Sequence, residues 1–161
     1  MMLYIRYFII GLLLLAIQIV IVPLIAIEKI VPDLMIIFTV YVALKRGQIP
    51  GTLAGFISGL FMDLTINFVL GLSALSKTVA GFVAGYFYSE AKTSANTETL
   101  RFLGIVIFVS MVDNVVYFFI YIFCNSLDGA EIVKTIIGKT IYTSILSLIP
   151  VFITSKETKL L

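Results

Sequence analysis

The stretch that decides the fold is GQIPGTLAGFISGLFMD, residues 47–63, in which glycine recurs at every fourth position and an aspartate takes the next place. These residues are Gly47, Gly51, Gly55, Gly59 and Asp63. Residues four apart form one ridge along an α-helix, and a ridge of glycines lets a second helix backbone approach closely. The stretch therefore predicts a tightly packed helix whose packed ridge ends in a carboxylate.

The composition of the whole chain predicts an integral membrane protein. Of the 161 residues, 61% are hydrophobic and 12% are charged, and the mean hydropathy is +1.16. A soluble domain of this size needs more charge to keep its surface hydrated. The net charge of +2 is too small to suggest nucleic acid as a partner. Because the chain has no histidine and one cysteine, Cys124, we predict neither an enzyme nor a bound metal or other cofactor.

Six apolar segments predict an all-α bundle of six transmembrane helices that forms a single domain over residues 1–161. The segments cover residues 8–27, 33–45, 49–69, 71–89, 102–124 and 132–154. The second segment is the shortest, but its ends carry clear signals. Pro32 and Asp33 are typical of a helix start, and Lys45, Arg46 and Gly47 are typical of a helix end.

Basic residues predict that both termini face the cytoplasm. With six spans and a cytoplasmic N-terminus, the outer segments hold only Lys29 and Lys134. The inner segments hold Arg6, Lys45, Arg46, Lys92, Arg101, Lys156 and Lys159. Short cytoplasmic segments carry such an excess of lysine and arginine.

The fourth apolar segment carries a ridge that matches the glycine ridge. Its members are Ser73, Lys77, Gly81 and Gly85, again four residues apart. An antiparallel hairpin that turns at Leu70 places Asp63 opposite Lys77, Gly59 opposite Gly81, Gly55 opposite Gly85 and Asn67 opposite Ser73. This register predicts glycine against glycine in the cytoplasmic half and an ion pair in the outer half. The alternative is that each charged side chain reaches the interface separately.

Two further charged residues lie inside predicted spans. Asp113 stands beside Asn114 near the middle of the fifth segment, and Lys139 lies about two turns into the sixth. The charges then balance, with Asp63 and Asp113 against Lys77 and Lys139. Three interpretations stay open: one interior polar cluster, two separate salt bridges, or a proton or ion relay. A serine–lysine catalytic pair is not predicted, since the Ser-x-x-Lys spacing is absent.

Five elements of the central third occur together in order. They are Pro32-Asp33-Leu34, Lys45-Arg46-Gly47, the ladder Gly51/Gly55/Gly59, Asp63, and the run GLSALSK from Gly71 to Lys77. Together, over about residues 32–90, they resemble the rod shape-determining protein MreD family. The resemblance implies a non-enzymatic scaffold subunit of the bacterial cell-elongation machinery in the inner membrane. The implied partners are MreC directly, and RodA, penicillin-binding protein 2 and MreB directly or through MreC.

The resemblance also implies a fold similar to the substrate-binding subunits of energy-coupling-factor transporters. A second function therefore stays open, namely a small-molecule (vitamin-type) binding subunit of such a transporter. We favour the scaffold, because the four intramembrane charges can satisfy one another and no tryptophan is present to stack on a vitamin ring.

A scaffold needs a surface that a partner helix can contact, and two segments are candidates. The first is the aromatic run at residues 115–123, with Tyr117, Phe118 and Tyr121. The alternative interpretation of this run is an aromatic belt in contact with lipid. The second is the first apolar segment, in which Gln18 is the single interior polar residue. Gln18 bonds either to a partner or within the bundle.

Overall fold

The computed structural model describes residues 2–27, 30–65, 70–89, 100–124 and 129–148, with the side chains of all but residues 2–4, 100, 123–124 and 129–132. Within these ranges the chain forms six α-helices, one 3₁₀ turn at Val22–Ile25 and no β-strand. The helices are α1 (Met2–Val20), α2 (Leu34–Arg46), α3 (Gln48–Thr65), α4 (Leu72–Gly85), α5 (Leu100–Cys124) and α6 (Gly129–Leu146). For the described residues, the prediction of an all-α fold with six helices is confirmed.

The helices begin and end close to the predicted segments at most positions and differ at three. α1 begins at Met2, six residues before the predicted segment. α1 ends at Val20 rather than at residue 27, because the following 3₁₀ turn contains Pro23, which has no amide to continue the helix. α4 ends at Gly85 rather than at residue 89. The next three amides, of Tyr86, Phe87 and Tyr88, bond to carbonyls three residues back instead of four. Residues 66–69 and 149–154 of the predicted segments lie outside the described residues.

The helix α2 forms the centre of the bundle. Its starting and ending signals are confirmed, since Asp33 is the N-cap and Gly47, with φ of 94°, is the C-cap. Lys45 and Arg46 lie in its last turn, where they complement the helix dipole. The buried apolar core joins α2 to α4 and α5 through Ile36, Ile37, Val40, Ala43, Leu44, Ala80, Ala84, Phe102, Ile105, Val106 and Val109.

The helices α3 and α4 pack backbone against backbone along the two predicted ridges. A Cβ atom added to Gly55 or Gly59 would come closer than 3.0 Å to the backbone of α4, and one added to Gly51 would come equally close to Ala43 of α2. For Gly55 the neighbour on α4 is the carbonyl of Lys77, and for Gly59 it is the carbonyl of Ser73. The glycines are therefore required for the close approach of the two helices.

The predicted register of this hairpin is wrong by about two turns of α4. Gly51 rather than Gly59 faces Gly81, and Gly55 faces Lys77 rather than Gly85. The hairpin does not turn symmetrically about Leu70, because α3 extends past the level at which α4 begins. Gly47 does not belong to the packed ridge, since it ends α2, and Gly85 packs against Gln48.

One helix in the described part of the chain is long and apolar enough to cross a membrane, namely residues Arg101–Ile122 within α5. Ile5–Val20 and Leu72–Gly85 are shorter apolar helices. The six transmembrane spans, the single domain and the topology therefore stay predictions.

Candidate functional site

The polar centre of the bundle is the buried beginning of α2. The first four amides of any helix lack partners within the helix, and here each bonds to a side chain. The Oδ1 atom of Asp33 accepts from the amides of Met35 and Ile36 at 2.9 and 3.2 Å. The amide of Leu34 donates to Oε1 of Gln18 at 2.8 Å, and the amide of Asp33 donates to the hydroxyl of Thr143 at 3.0 Å.

Gln18 therefore bonds within the bundle. Its Nε2 also donates to the carbonyl of Pro32 at 2.9 Å, and the side chain is buried. Both polar atoms of the Gln18 side chain thus bond to the backbone around the start of α2, and they hold α1 against it. The proposal that Gln18 lies on a partner surface is wrong, because the amide group faces the interior.

Lys77 lies between two buried carboxylates. Its Nζ atom is 2.5 Å from Oδ2 of Asp33 and 3.3 Å from Oδ2 of Asp113. The three residues come from α4, from the link before α2 and from α5, and each is at most 4% exposed. A buried ammonium group is strongly destabilising without such partners. The triad Asp33–Lys77–Asp113 thus connects three helices at one point.

Asp63 binds backbone amides rather than the predicted lysine. Its Oδ2 accepts from the amides of Gly71 and Ala74 at 3.0 and 2.9 Å, and its Oδ1 accepts from the amide of Ser73 at 2.9 Å. Asp63, at the end of α3, therefore caps the beginning of α4. The predicted Asp63–Lys77 ion pair is wrong, because the shifted register moves Lys77 past the level of Asp63 toward Gly55. Gly71 has φ of 93°, a backbone conformation that favours glycine at this tight turn.

Lys139 lies at the edge of the triad. Its Nζ atom stands 5.4 Å from the centre of the Tyr117 ring, a cation–π distance. No salt bridge joins it to Asp113 in the part of the chain that the structure describes, and Oδ2 of Asp113 is bound to Lys77 instead. The Oδ1 atom of Asp113 is buried and has no hydrogen-bond partner among the described residues.

Asn114 joins α5 to α6. Its Nδ2 donates to the carbonyl of Ser110 at 2.9 Å and to the hydroxyl of Thr140 at 3.2 Å. Asn114 thus stands next to the triad as predicted, on the side that faces α6. Ser73 contributes its backbone amide to the Asp63 cap, and Asn67 lies outside the described residues.

The predicted polar residues therefore separate into two groups. Lys77 and Asp113 meet in the triad, whereas Asp63 and Ser73 belong to the α4 cap. The member that sequence reasoning missed is Asp33, which was assigned to the start of a helix and to the family motif. A sequence signal was available. Asp33 begins a helix that is mostly apolar up to its last turn, and the N-cap of such a buried helix lies inside the protein. The proton or ion relay stays a prediction.

The predicted aromatic surface on α5 is partly occupied by its own contacts. Tyr117 stacks on Tyr121 with ring centres 6.1 Å apart and an interplanar angle of 13°. Phe118 meets both rings edge to face at 5.5 and 6.3 Å. All three side chains are half-buried, whereas Val115 and Phe119 are exposed on the same helix. The surface open to a partner therefore lies beside the predicted tyrosines.

Comparisons of the chain with known protein families, with curated proteins and with solved structures give no significant match. The resemblance to the MreD family rests on the motif residues. In the structure these residues mark helix ends: Pro32 and Asp33 begin α2, Arg46 ends it, and Gly71 precedes α4.

Proposed function

We propose that the chain is a non-enzymatic scaffold subunit of the bacterial cell-elongation machinery, as the resemblance to the MreD family implies. The observation that carries the proposal is the use of the buried charges. Lys77 is held by Asp33 and Asp113, and Asp63 is held by the amides of α4. These groups fasten helices to one another, which is the property that a rigid docking platform needs.

The distribution of polar and apolar side chains supports a location in the bacterial inner membrane. Buried polar residues include Asp33, Asp63, Lys77, Asp113 and Asn114, whereas large apolar side chains are exposed on α1 and on α3 to α6, the five helices that surround α2. Examples of the exposed side chains are Leu13 (57%), Leu64 (63%), Leu75 (51%), Phe119 (63%) and Ile145 (58%). Apolar exposure of this extent is unfavourable in water and favourable in lipid. We retain the six spans and cytoplasmic termini as part of the proposal.

Two exposed apolar surfaces suit a single-span partner such as MreC. On α5, Met111, Val115, Phe119 and Ile122 are exposed at spacings of three or four. On α6, Val133, Ile137, Ile141 and Ile145 are exposed at spacings of four. We propose that the partner helix packs on the α5 surface. This surface adjoins the aromatic residues Tyr117, Phe118 and Tyr121, and it belongs to the helix that carries Asp113.

The test is a pull-down of the tagged chain from its native membrane in mild detergent, with mass spectrometry of the co-purifying proteins. We expect an MreC-like protein together with RodA, penicillin-binding protein 2 or MreB. Recovery of none of these proteins would contradict the scaffold. A photo-crosslinking residue at Val115 or Ile122 is expected to capture the MreC-like protein, and the same residue at Ile141 or Ile145, which are somewhat more exposed, serves as the control.

One observation favours the second candidate, a small-molecule binding subunit of an energy-coupling-factor transporter. The Oδ1 atom of Asp113 is buried without a hydrogen-bond partner in the described part of the chain, and such an atom accepts a hydrogen bond from a polar ligand. Under this alternative the same pull-down recovers an ATPase pair and a transmembrane coupling subunit.

A further inference from the structure

An apolar groove runs between α1 and α3, with α2 as its floor. It encloses about 410 Å³. Leu12 and Leu15 of α1, Phe38 of α2, and Leu53 and Ile57 of α3 are among the side chains that form its walls. The groove is thus built by the three helices nearest the N-terminus and lies apart from the triad.

The groove exists because α1 is fastened mainly at its two ends. At one end Gln18 bonds to the link before α2, as described above. At the other end the guanidinium group of Arg46 lies 5.5 Å from the centre of the Tyr7 ring. Between these points Gly11 lies against the ring of Phe38. Between these two ends, the side chains of α1 and α3 that line the groove, such as Leu12 and Leu53, lie on its opposite walls.

The groove has the length of one lipid leaflet and one charged end. Its wall on α3 extends from Ile49 to Phe61, a distance of roughly 18 Å along a helix. Half of the hydrocarbon core of a bilayer is about 15 Å thick. Arg46 is the single charged residue among the described residues that line the groove, and it is exposed at the end of α2, next to Lys45.

We propose that this groove binds one acyl chain of an anionic phospholipid from the cytoplasmic leaflet, with the lipid phosphate at Arg46. The proposal rests on the membrane location given under Proposed function. A guanidinium group binds phosphate strongly through paired hydrogen bonds. The occupant is a lipid rather than a partner helix, because the groove is apolar over about the length of one leaflet and its single charged lining residue, Arg46, lies at one end, where a lipid carries its phosphate.

The test is native mass spectrometry of the full chain, purified in detergent, delipidated, and titrated with phosphatidylglycerol or phosphatidylcholine that carry the same acyl chains. We expect a first phosphatidylglycerol adduct with an apparent Kd about fivefold lower than that of phosphatidylcholine, the increment of one basic residue at an anionic surface. Arg46→Gln is expected to remove this preference. Arg101→Gln changes another exposed arginine, at the beginning of α5, and is expected to retain it.

A second pair of variants tests the groove itself. Leu53→Trp fills the groove and is expected to weaken the first adduct of both lipids at least tenfold. Leu64→Trp makes the same change at a similarly exposed position of α3 outside the groove lining and is expected to leave the adduct unchanged. Helical circular dichroism of each variant verifies folding, and Arg46→Gln keeps the test decisive if Leu53→Trp does not fold.

Equal binding of the two lipids by the unaltered chain would overturn the proposal, as would equal behaviour of Leu53→Trp and Leu64→Trp. Capture of a polypeptide rather than lipid by a photo-crosslinker at Leu53 in native membranes would assign the groove to a partner helix. Recovery of the MreC-like protein without lipid preference overturns the lipid site alone. Lipid preference without any elongation protein in the pull-down overturns the scaffold and supports the lipid site.

Discussion

The beginnings of α2 and α4 are each capped by a buried aspartate, but only one of the two aspartates also binds a lysine. Asp33 directs Oδ1 to the amides of α2 and Oδ2 to Lys77. Asp63 directs both of its oxygens to amides at the beginning of α4. Both carboxylates are buried, at 4% and 2% exposure, so each needs compensation from close by.

The difference shows that a helix start can compensate a buried carboxylate but not a buried ammonium group. The amides and dipole at a helix N-terminus favour negative charge, and three amides suffice for Asp63. Lys77 needs acceptors instead, and it obtains them from Asp33 and Asp113. The charged triad is therefore organised around the lysine, whereas Asp63, which does not bind the lysine, is a local cap.

The largest effect is expected for Asp33→Ala, which leaves two amides and part of the Lys77 charge without partners. We expect a loss of about 3–5 kcal/mol in the free energy of unfolding, measured by denaturant titration in detergent with circular dichroism. Asp33→Asn keeps the cap oxygen and removes the charge, and is expected to lose less. In a double-mutant cycle with Lys77→Met, we expect a coupling of about 0.5–3 kcal/mol. A loss below about 1 kcal/mol for Asp33→Ala would contradict this role.

An intermediate effect is expected for Gly55→Ala, because Gly55 lies against the backbone of Lys77 and so connects the α3–α4 interface to the triad. The added methyl group overlaps a carbonyl that cannot move independently of α4, and we expect a loss of about 1–3 kcal/mol in the same assay. Gly104→Ala is the matched control in α5, where the methyl group meets no atom within 4 Å. There we expect a gain of about 0.5–1 kcal/mol from helix propensity. Equal signs for the two variants would refute the close approach.

The smallest effect is expected for Asp63→Ala, which removes a helix cap and leaves the triad intact. We expect a loss of about 0.5–2 kcal/mol in the free energy of unfolding, and a smaller loss for Asp63→Asn because its amide oxygen still accepts from α4. Combined with Lys77→Met, the losses are expected to add within about 0.5 kcal/mol. A coupling as large as that of Asp33 would instead establish an Asp63–Lys77 pair.

The helices and the two ends of α2 could be predicted from local signals, whereas α1 and α4 end earlier than predicted. Asp33 and Gly47 delimit α2, and Pro23 accounts for the early end of α1, because capping and the missing proline amide act within one turn. The two ridges of α3 and α4 were also correctly paired, because four-residue spacing defines one face of a helix. The register was not predictable from the ridges, since a repeat of four residues matches itself after every shift by four.

The chain by itself determined that the protein is helical, that Gly51, Gly55 and Gly59 permit a close helix contact, and that Lys77 and Asp113 need interior partners. Only the tertiary structure decided which partners they have. The choice of Asp33 over Asp63 depends on how far α4 slides along α3 and on where α2 begins inside the bundle. The slide is set by contacts such as Gly55 with Lys77, which are 22 positions apart. The partners of Lys77 are farther still in sequence, since Asp33 is 44 positions away and Asp113 is 36 positions away. Local spacing carries no information about such distances.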